Sequence, residues 1–384
     1  MTLSRTTAAN LDQKYWDDHQ VDGITFIRWL HPNEYYGYGT GVDNAIFTGF
    51  YLASAAFRYS VTPSDTNLSK IERTLDGIHL LTHISGTPGV LARLAFPLED
   101  AYHQIGYVPD SMQPEPQGWG PGNSWWDRKS EGSLYESDTH FYYCRTTRDQ
   151  LTGIVLGLSV AWNVLNHHAS LFPKTDTRHD NCMSKIQIIV QDLVTRLENT
   201  DWSLKDHTGL IGDTNAHRLK DNLKDALVLL NCAVNNKPRP SIKGLKRFYR
   251  FLWFYTFYYR FTRHMYAWNL RTAIAFSLWI NEPDSILRAG AKKWMKRISA
   301  FTKNEDNAFF VFAEAVMGND VSKERLDAAL EALDQLSEVG HNSFFAWQKS
   351  KDEARPAGIN GLYGPGIDIL LPYWMHRYYL EGRV

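Results

Sequence analysis

The chain has 384 residues, 43% hydrophobic and 22% charged, which is ordinary for a water-soluble globular protein and enough for a large core. Its net charge of −1 gives no electrostatic basis for binding nucleic acid, and no apolar run reaches the ~20 residues of a membrane span. The three cysteines, Cys144, Cys182 and Cys232, are scattered, so they form neither a disulfide framework nor a metal-ligand spacing.

The first twenty residues, MTLSRTTAANLDQKYWDDHQ, are polar and lack the apolar centre of a signal peptide, so the expectation is a cytoplasmic protein. Residues 9–20 can form an outer helix. After a long segment at 22–42, residues 43–59 (DNAIFTGFYLASAAFRY) predict a helix that is apolar all round. Residues 65–84 predict an amphipathic one, with Leu68, Ile71, Leu75, Ile78 and Leu81 at helical spacing. The contrast recurs after a second long segment, 87–147. Residues 148–165 (RDQLTGIVLGLSVAWNVL) look buried all round, and 178–198 show one apolar face built from Ile186, Ile189, Val190, Leu193 and Leu197. It recurs again in 216–234 then 242–258, in 264–281 then 284–302, and in 306–317 then 322–337; a last helix falls at about 366–380.

A helix apolar all round is enclosed, and an amphipathic one covers it. Six such pairs predict an all-α (α/α)6 toroid of six inner and six outer helices. Strand signals are confined to short pieces, such as a hairpin at 202–215 turning at Asp206 to Gly209. No Gly/Ser/Pro-rich linker or charge run divides the chain, so 1–384 reads as one domain. The basic stretch Lys243–Arg250 fits a solvated helix face.

The loops alternate in length. Short turns such as SVTPSD at 60–65 and NEPD at 281–284 follow inner helices. Long connections at 22–42, 87–147, 199–215 and 338–365 lead into them. With alternating helix directions, every long connection falls on one end of the molecule, and long ordered loops are usually functional. The cleft is then lined by the starts of inner helices: Asp43 and Asn44, Asp149 and Gln150, His217, His264, and Tyr363 near the last. Aromatic content is high, with 13 Trp, and the long segments carry Trp125, Trp126, Tyr135, Trp347 and Tyr363. Rings in loops suit stacking on a sugar.

Asp43 and Asp149 are the first candidates for catalysis, because paired carboxylates across a cleft support acid/base hydrolysis of a glycoside. The competing reading makes both aspartates helix caps or first-turn acids, stabilised by free amides and the dipole. His140 and Tyr143, in DTHFYYCR, together with Arg93, in GTPGVLARLAFP, could instead serve β-elimination on a uronic acid, with Arg neutralising the carboxylate. The alternative for that segment is a packed aromatic loop. His341 and the glycine-rich GINGLYGPG at 358–366 complete the candidate lining; the glycine run lacks the GK[ST] ending of a phosphate loop. No cofactor motif or metal spacing is present, and oligomeric state is not encoded in any visible pattern.

Residues 43–97, with DNAIFTGFYLASAAFRYSVT and RTLDGIHLLTHISGTPGVLARLAFP, resemble a widespread group of bacterial (α/α)6-toroid proteins, as do 148–165 and LLPYWMHRYY at 370–379. The resemblance implies a fold shared by glycoside hydrolases, polysaccharide lyases and sugar epimerases, and a carbohydrate ligand. Such proteins tend to carry an acid and serines just before the Asp-Gln pair. Here that stretch is Cys144-Arg145-Thr146-Thr147-Arg148, with no acid. The expected function is glycan hydrolysis, with a polysaccharide lyase or a non-catalytic glycan-binding protein as the alternatives.

Overall fold

A computed structural model describes residues 4–31, 34–39, 43–97, 134–144, 147–169, 177–211, 219, 221–240, 265–302, 307–338, 362–363 and 366–381. Among the described residues the chain is mostly helical, with eleven α-helices and eight short strands. The helices are α1 (Arg5–His19), α2 (Asn44–Val61), α3 (Asp65–His83), α4 (Arg148–Ala169), α5 (Thr177–Asn199) and α6 (Asp221–Val234). They continue as α7 (Met265–Asn281), α8 (Ser285–Phe301), α9 (Ala308–Val316), α10 (Lys323–Glu338) and α11 (Ile367–Leu380). No described helix is long and apolar enough to cross a membrane. The helix expected at 242–258 lies outside the described residues.

Burial follows the apolar pattern. Every residue of α2 except Arg58 is buried, and α9 is buried along nearly its whole length. In α3 and α5 burial is confined to one stripe, as their amphipathic spacing requires. Among the enclosed helices α11 packs on α2, α2 on α4, α4 on α7, α7 on α9, and α9 on α11. The amphipathic helices cover them: α3 lies on α2 and α5, α5 on α4 and α6, α8 on α7 and α9, and α10 on α9 and α11. Helix α1 covers α11, and its Tyr15 stacks on Tyr51 of α2 with ring centroids 4.5 Å apart.

Contacts between enclosed helices join like ends. The first turns of α2 and α4 meet through Ile46 and Gln150. The starts of α7 and α9 meet through Asn269 and Asn307. Asn281, at the end of α7, binds Ser159 and Asn163 of α4. The starts of α2, α4, α7 and α9 therefore gather on one side.

The strands lie in the connections on that side. β1 (Gln20–Val21) pairs with β2 (Ile24–Thr25); β3 (Ile27–His31) pairs with β4 (Glu34–Gly39) and β8 (Leu362–Tyr363). β5 (Leu94–Pro97) and β6 (Leu134–Glu136) both pair antiparallel with β7 (His140–Tyr143). These sheets are more regular structure than the sequence predicts for 22–42 and 87–147. The strands are only 2–6 residues long, too short for a period-2 pattern to stand out. Of the expected hairpin at 202–215, residues 212–215 lie outside the described residues; the described part shows one bridge, Lys205 to Ile211, around a turn held by the Asp206 carboxylate, which accepts from the amides of Thr208 and Leu210.

Candidate functional site

The site is built where α2 and α4 begin. Gly49 and Gly153 let the two backbones touch: a Cβ on Gly49 would stand 2.1 Å from the carbonyl carbon of Gly153. This approach brings Asp43, ahead of α2, beside Asp149 and Gln150 in the first turn of α4. Arg93 arrives from a third direction. The turn after α3 passes through Gly89 at φ +79°, whose amide donates to the Thr82 carbonyl. Arg93 is then fixed through its backbone: its amide donates to the Tyr143 carbonyl at 2.7 Å, and its carbonyl accepts from the Ala45 amide at 2.9 Å.

Asp43 occupies the N-cap position of α2 but does not cap it. A capping side chain needs β-region backbone to fold back on the first-turn amides. Asp43 has φ −111° and ψ 24° and makes no side-chain cap bond. Asp284 shows the alternative: at φ −77° and ψ 117° it accepts from the amides of Ile286 and Leu287 and caps α8. The first-turn donors of α2 are satisfied from outside instead. Ala45 donates to the Arg93 carbonyl, and Ile46 donates to Gln150 Oε1 at 3.0 Å. The Asp43 carboxylate is thereby released to face its neighbours.

Those neighbours are polar. Asp43 Oδ1 accepts from Gln150 Nε2 at 2.8 Å and from Arg93 at 3.2 Å. The Asp43 side chain is 20% exposed and that of Arg93 16%. Burial, with the negative charge of Asp149 second, pushes the Asp43 carboxyl up to about 6, against the pull of Arg93 and Gln150. Asp149 Oδ1 accepts from the Gln150 amide at 3.0 Å and from the Thr147 hydroxyl. The result is two carboxyl groups at adjoining helix starts, one of them held partly protonated near neutral pH. Such an arrangement can give a proton from one group while the other takes one.

The other sequence candidates fall in different places. Asn44 is buried and donates to the Thr25 carbonyl, tying β2 to the start of α2. Gln150 is buried completely. Tyr143 is buried in the sheet and serves Arg93 through its carbonyl. His140 pairs with Pro97 at the far end of β7, about 10 Å along the strand from Tyr143. Its Nε2 meets Asp22 Oδ2 at 3.1 Å, and this contact holds the Asp22 carboxyl below its usual range. Tyr135 and Tyr363 lie in β6 and β8, opposite Tyr142 and Arg28. Trp125, Trp126, His217, His264, His341 and Trp347 lie outside the described residues. Among the described residues no group of three His, Cys, Asp or Glu is arranged to hold a metal ion.

One buried charged cluster has no counterpart in the sequence reading. Asp12 of α1, 1% exposed, meets both Arg58 and Lys70, and the Tyr51 hydroxyl donates to its second oxygen. The only available signal was an isolated Asp on the inward stripe Ala8, Asp12, Tyr15 and His19 of a helix otherwise read as surface. Comparison with known proteins found no matching family model, no matching characterised relative and no matching solved structure.

Proposed function

We propose that the chain is an (α/α)6 toroid that hydrolyses a glycan at the end of the molecule where α2 and α4 begin. The closed circuit α11–α2–α4–α6–α7–α9–α11, in which α4 also touches α7 directly, is covered by amphipathic helices and supports the toroid reading. The observation that carries the activity is the Asp43 carboxyl. It is released from helix capping, raised to about 6, and coupled to the charge of Asp149 on the neighbouring helix start. In this reading Asp43 protonates the leaving oxygen, and Asp149 takes the base or nucleophile role opposite. Arg93 and Gln150 hold the acid in place.

Elimination on a uronic acid fits less well. It needs a cation for the substrate carboxylate beside a His or Tyr that moves protons. Arg93 already binds Asp43, Tyr143 is buried, and His140 stands well along the strand, paired with Asp22. The test is reducing-end release from a panel of neutral and acidic polysaccharides, with ultraviolet absorbance followed in parallel. New reducing ends without an unsaturated chromophore, lost in Asp43→Asn and Asp149→Asn, are the expected result. An unsaturated product, or turnover untouched by both substitutions, would overturn the hydrolase.

A further inference from the structure

We propose that Gln150 is the positioning residue of the site: it caps α2 from the neighbouring helix and so frees the Asp43 carboxyl for chemistry, which it then aims. The inference rests on the acid role proposed above for Asp43, but its geometry stands apart from any activity.

Both ends of the Gln150 amide are used, and neither by its own helix. Oε1 accepts from the Ile46 amide at 3.0 Å, and Nε2 donates to Asp43 Oδ1 at 2.8 Å. The side chain is 0% exposed, so it is closed off from a ligand. A first-turn amide without a partner is costly when buried, and most helices meet that need with the side chain of their own N-cap residue. In α2 the backbone of Asp43 rules this out, and Gln150 takes the task. One amide group therefore does two jobs, satisfying a helix start and fixing the direction of a carboxyl. A Leu or Met of similar bulk would fill the same space and do neither.

The donated hydrogen bond favours the ionised form of Asp43, so its loss has a sign. In Gln150→Leu both hydrogen bonds go. In Gln150→Met both hydrogen bonds also go, while an unbranched side chain of the same length is kept. The probe is the side-chain carboxyl ¹³C signal of Asp43 across pH, assigned by its disappearance in Asp43→Asn. Its midpoint should rise by about one pH unit in Gln150→Leu and in Gln150→Met. Gln150→Met, unbranched like Gln, should fit the space with less strain than Gln150→Leu. Should Gln150→Leu not fold, the Gln150→Met midpoint alone decides. An unmoved midpoint in a folded variant would overturn the positioning role and leave Gln150 as packing. A moved midpoint in a protein that releases no reducing ends would uphold the positioning role and sink the hydrolase reading instead.

Discussion

Gly153 lies against Ile46 so closely that a Cβ there would stand 2.4 Å from the Ile46 carbonyl oxygen. The carbonyl of Ile46 is backbone inside an enclosed helix and cannot swing aside. Overpacking a core typically costs about 1–3 kcal/mol, and a backbone–backbone clash belongs at the upper end. Gly153→Ala should therefore lower stability by about 3 kcal/mol in chemical denaturation. It should also push apart the helix starts that carry Asp43 and Gln150, so activity should fall even at temperatures where the variant is folded. A stable Gly153→Ala with unchanged activity would show that the α2–α4 contact does not set the site.

The raised Asp43 carboxyl makes stability depend on pH in a stated direction. Its folded value is about 6 against 3.8 unfolded, so the folded protein holds this proton more tightly. The contribution is full below about pH 4 and is lost as pH rises to about 6. A carboxyl moved that far carries on the order of 3 kcal/mol, an upper figure for a side chain 20% exposed. Asn mimics the protonated acid and has no proton to lose. Asp43→Asn should then match the wild type at pH 4–5 and be the more stable protein at pH 7–8. Equal melting curves for the two proteins at every pH would remove the buried-acid description of Asp43.

The helices were legible because burial writes a 3.6-residue period or an unbroken apolar run. Residues 43–59 and 65–84 of the sequence reading fall within a residue or two of α2 and α3. The meeting of Asp43 with Asp149 was legible only as a consequence of parallel helix starts. What could not be read was the backbone of Asp43. Asp43 and Asp284 are the same residue at the same kind of helix start, and their backbone angles, φ −111° and ψ 24° against φ −77° and ψ 117°, separate a carboxyl turned to Arg93 and Gln150 from a cap. The groups that take the first-turn amides of α2 in its place, Arg93 and Gln150, are distant in sequence. Asn44 and Gln150 looked like ligand-facing polar groups for a related reason: a polar side chain at a helix start does not announce whether a neighbouring element will bury it. The Asp12 cluster was hidden because its two cations come from α2 and α3.

That cluster supplies a second pH test with the opposite sign. Asp12 is shared by Arg58 and Lys70, so one buried carboxylate faces two cations. Burial also pulls the Arg58 guanidinium down, but from a higher starting value than that of a lysine. Burial first, and the charge of Arg58 second, pull the Lys70 ammonium down to about 7, while Asp17 opposes them. A base lowered from 10.5 to about 7 penalises the folded state fully below pH 7, and the penalty fades as pH rises towards 10.5. Wild-type stability should therefore climb between pH 7 and 10 relative to Lys70→Met, which removes the surplus cation and keeps the methylene stem. Asp12→Asn leaves both cations without their counter-ion and should cost about 3–5 kcal/mol. Parallel pH profiles for wild type and Lys70→Met would show that Lys70 stays charged against Asp12.

Asp149→Asn separates chemistry from local structure. The Asp149 oxygen that accepts from the Gln150 amide and the Thr147 hydroxyl has an equivalent in the Asn carbonyl, so both bonds can survive. Removing a first-turn charge forfeits its interaction with the helix dipole, within about 1 kcal/mol. The melting temperature should thus fall by only a few degrees. Proton transfer is a different matter: an amide cannot act as base or nucleophile, and that role is typically worth about 10²–10⁴ in rate. Glycan turnover should drop by that factor. A third readout ties the two residues together. The Asp149 charge is one of the forces holding the Asp43 carboxyl up, so its removal should lower the Asp43 midpoint from about 6. A large loss of stability with normal turnover per folded molecule would make Asp149 a structural acid only. Lost turnover with an unmoved Asp43 midpoint would mean that the two carboxyls do not act as a pair.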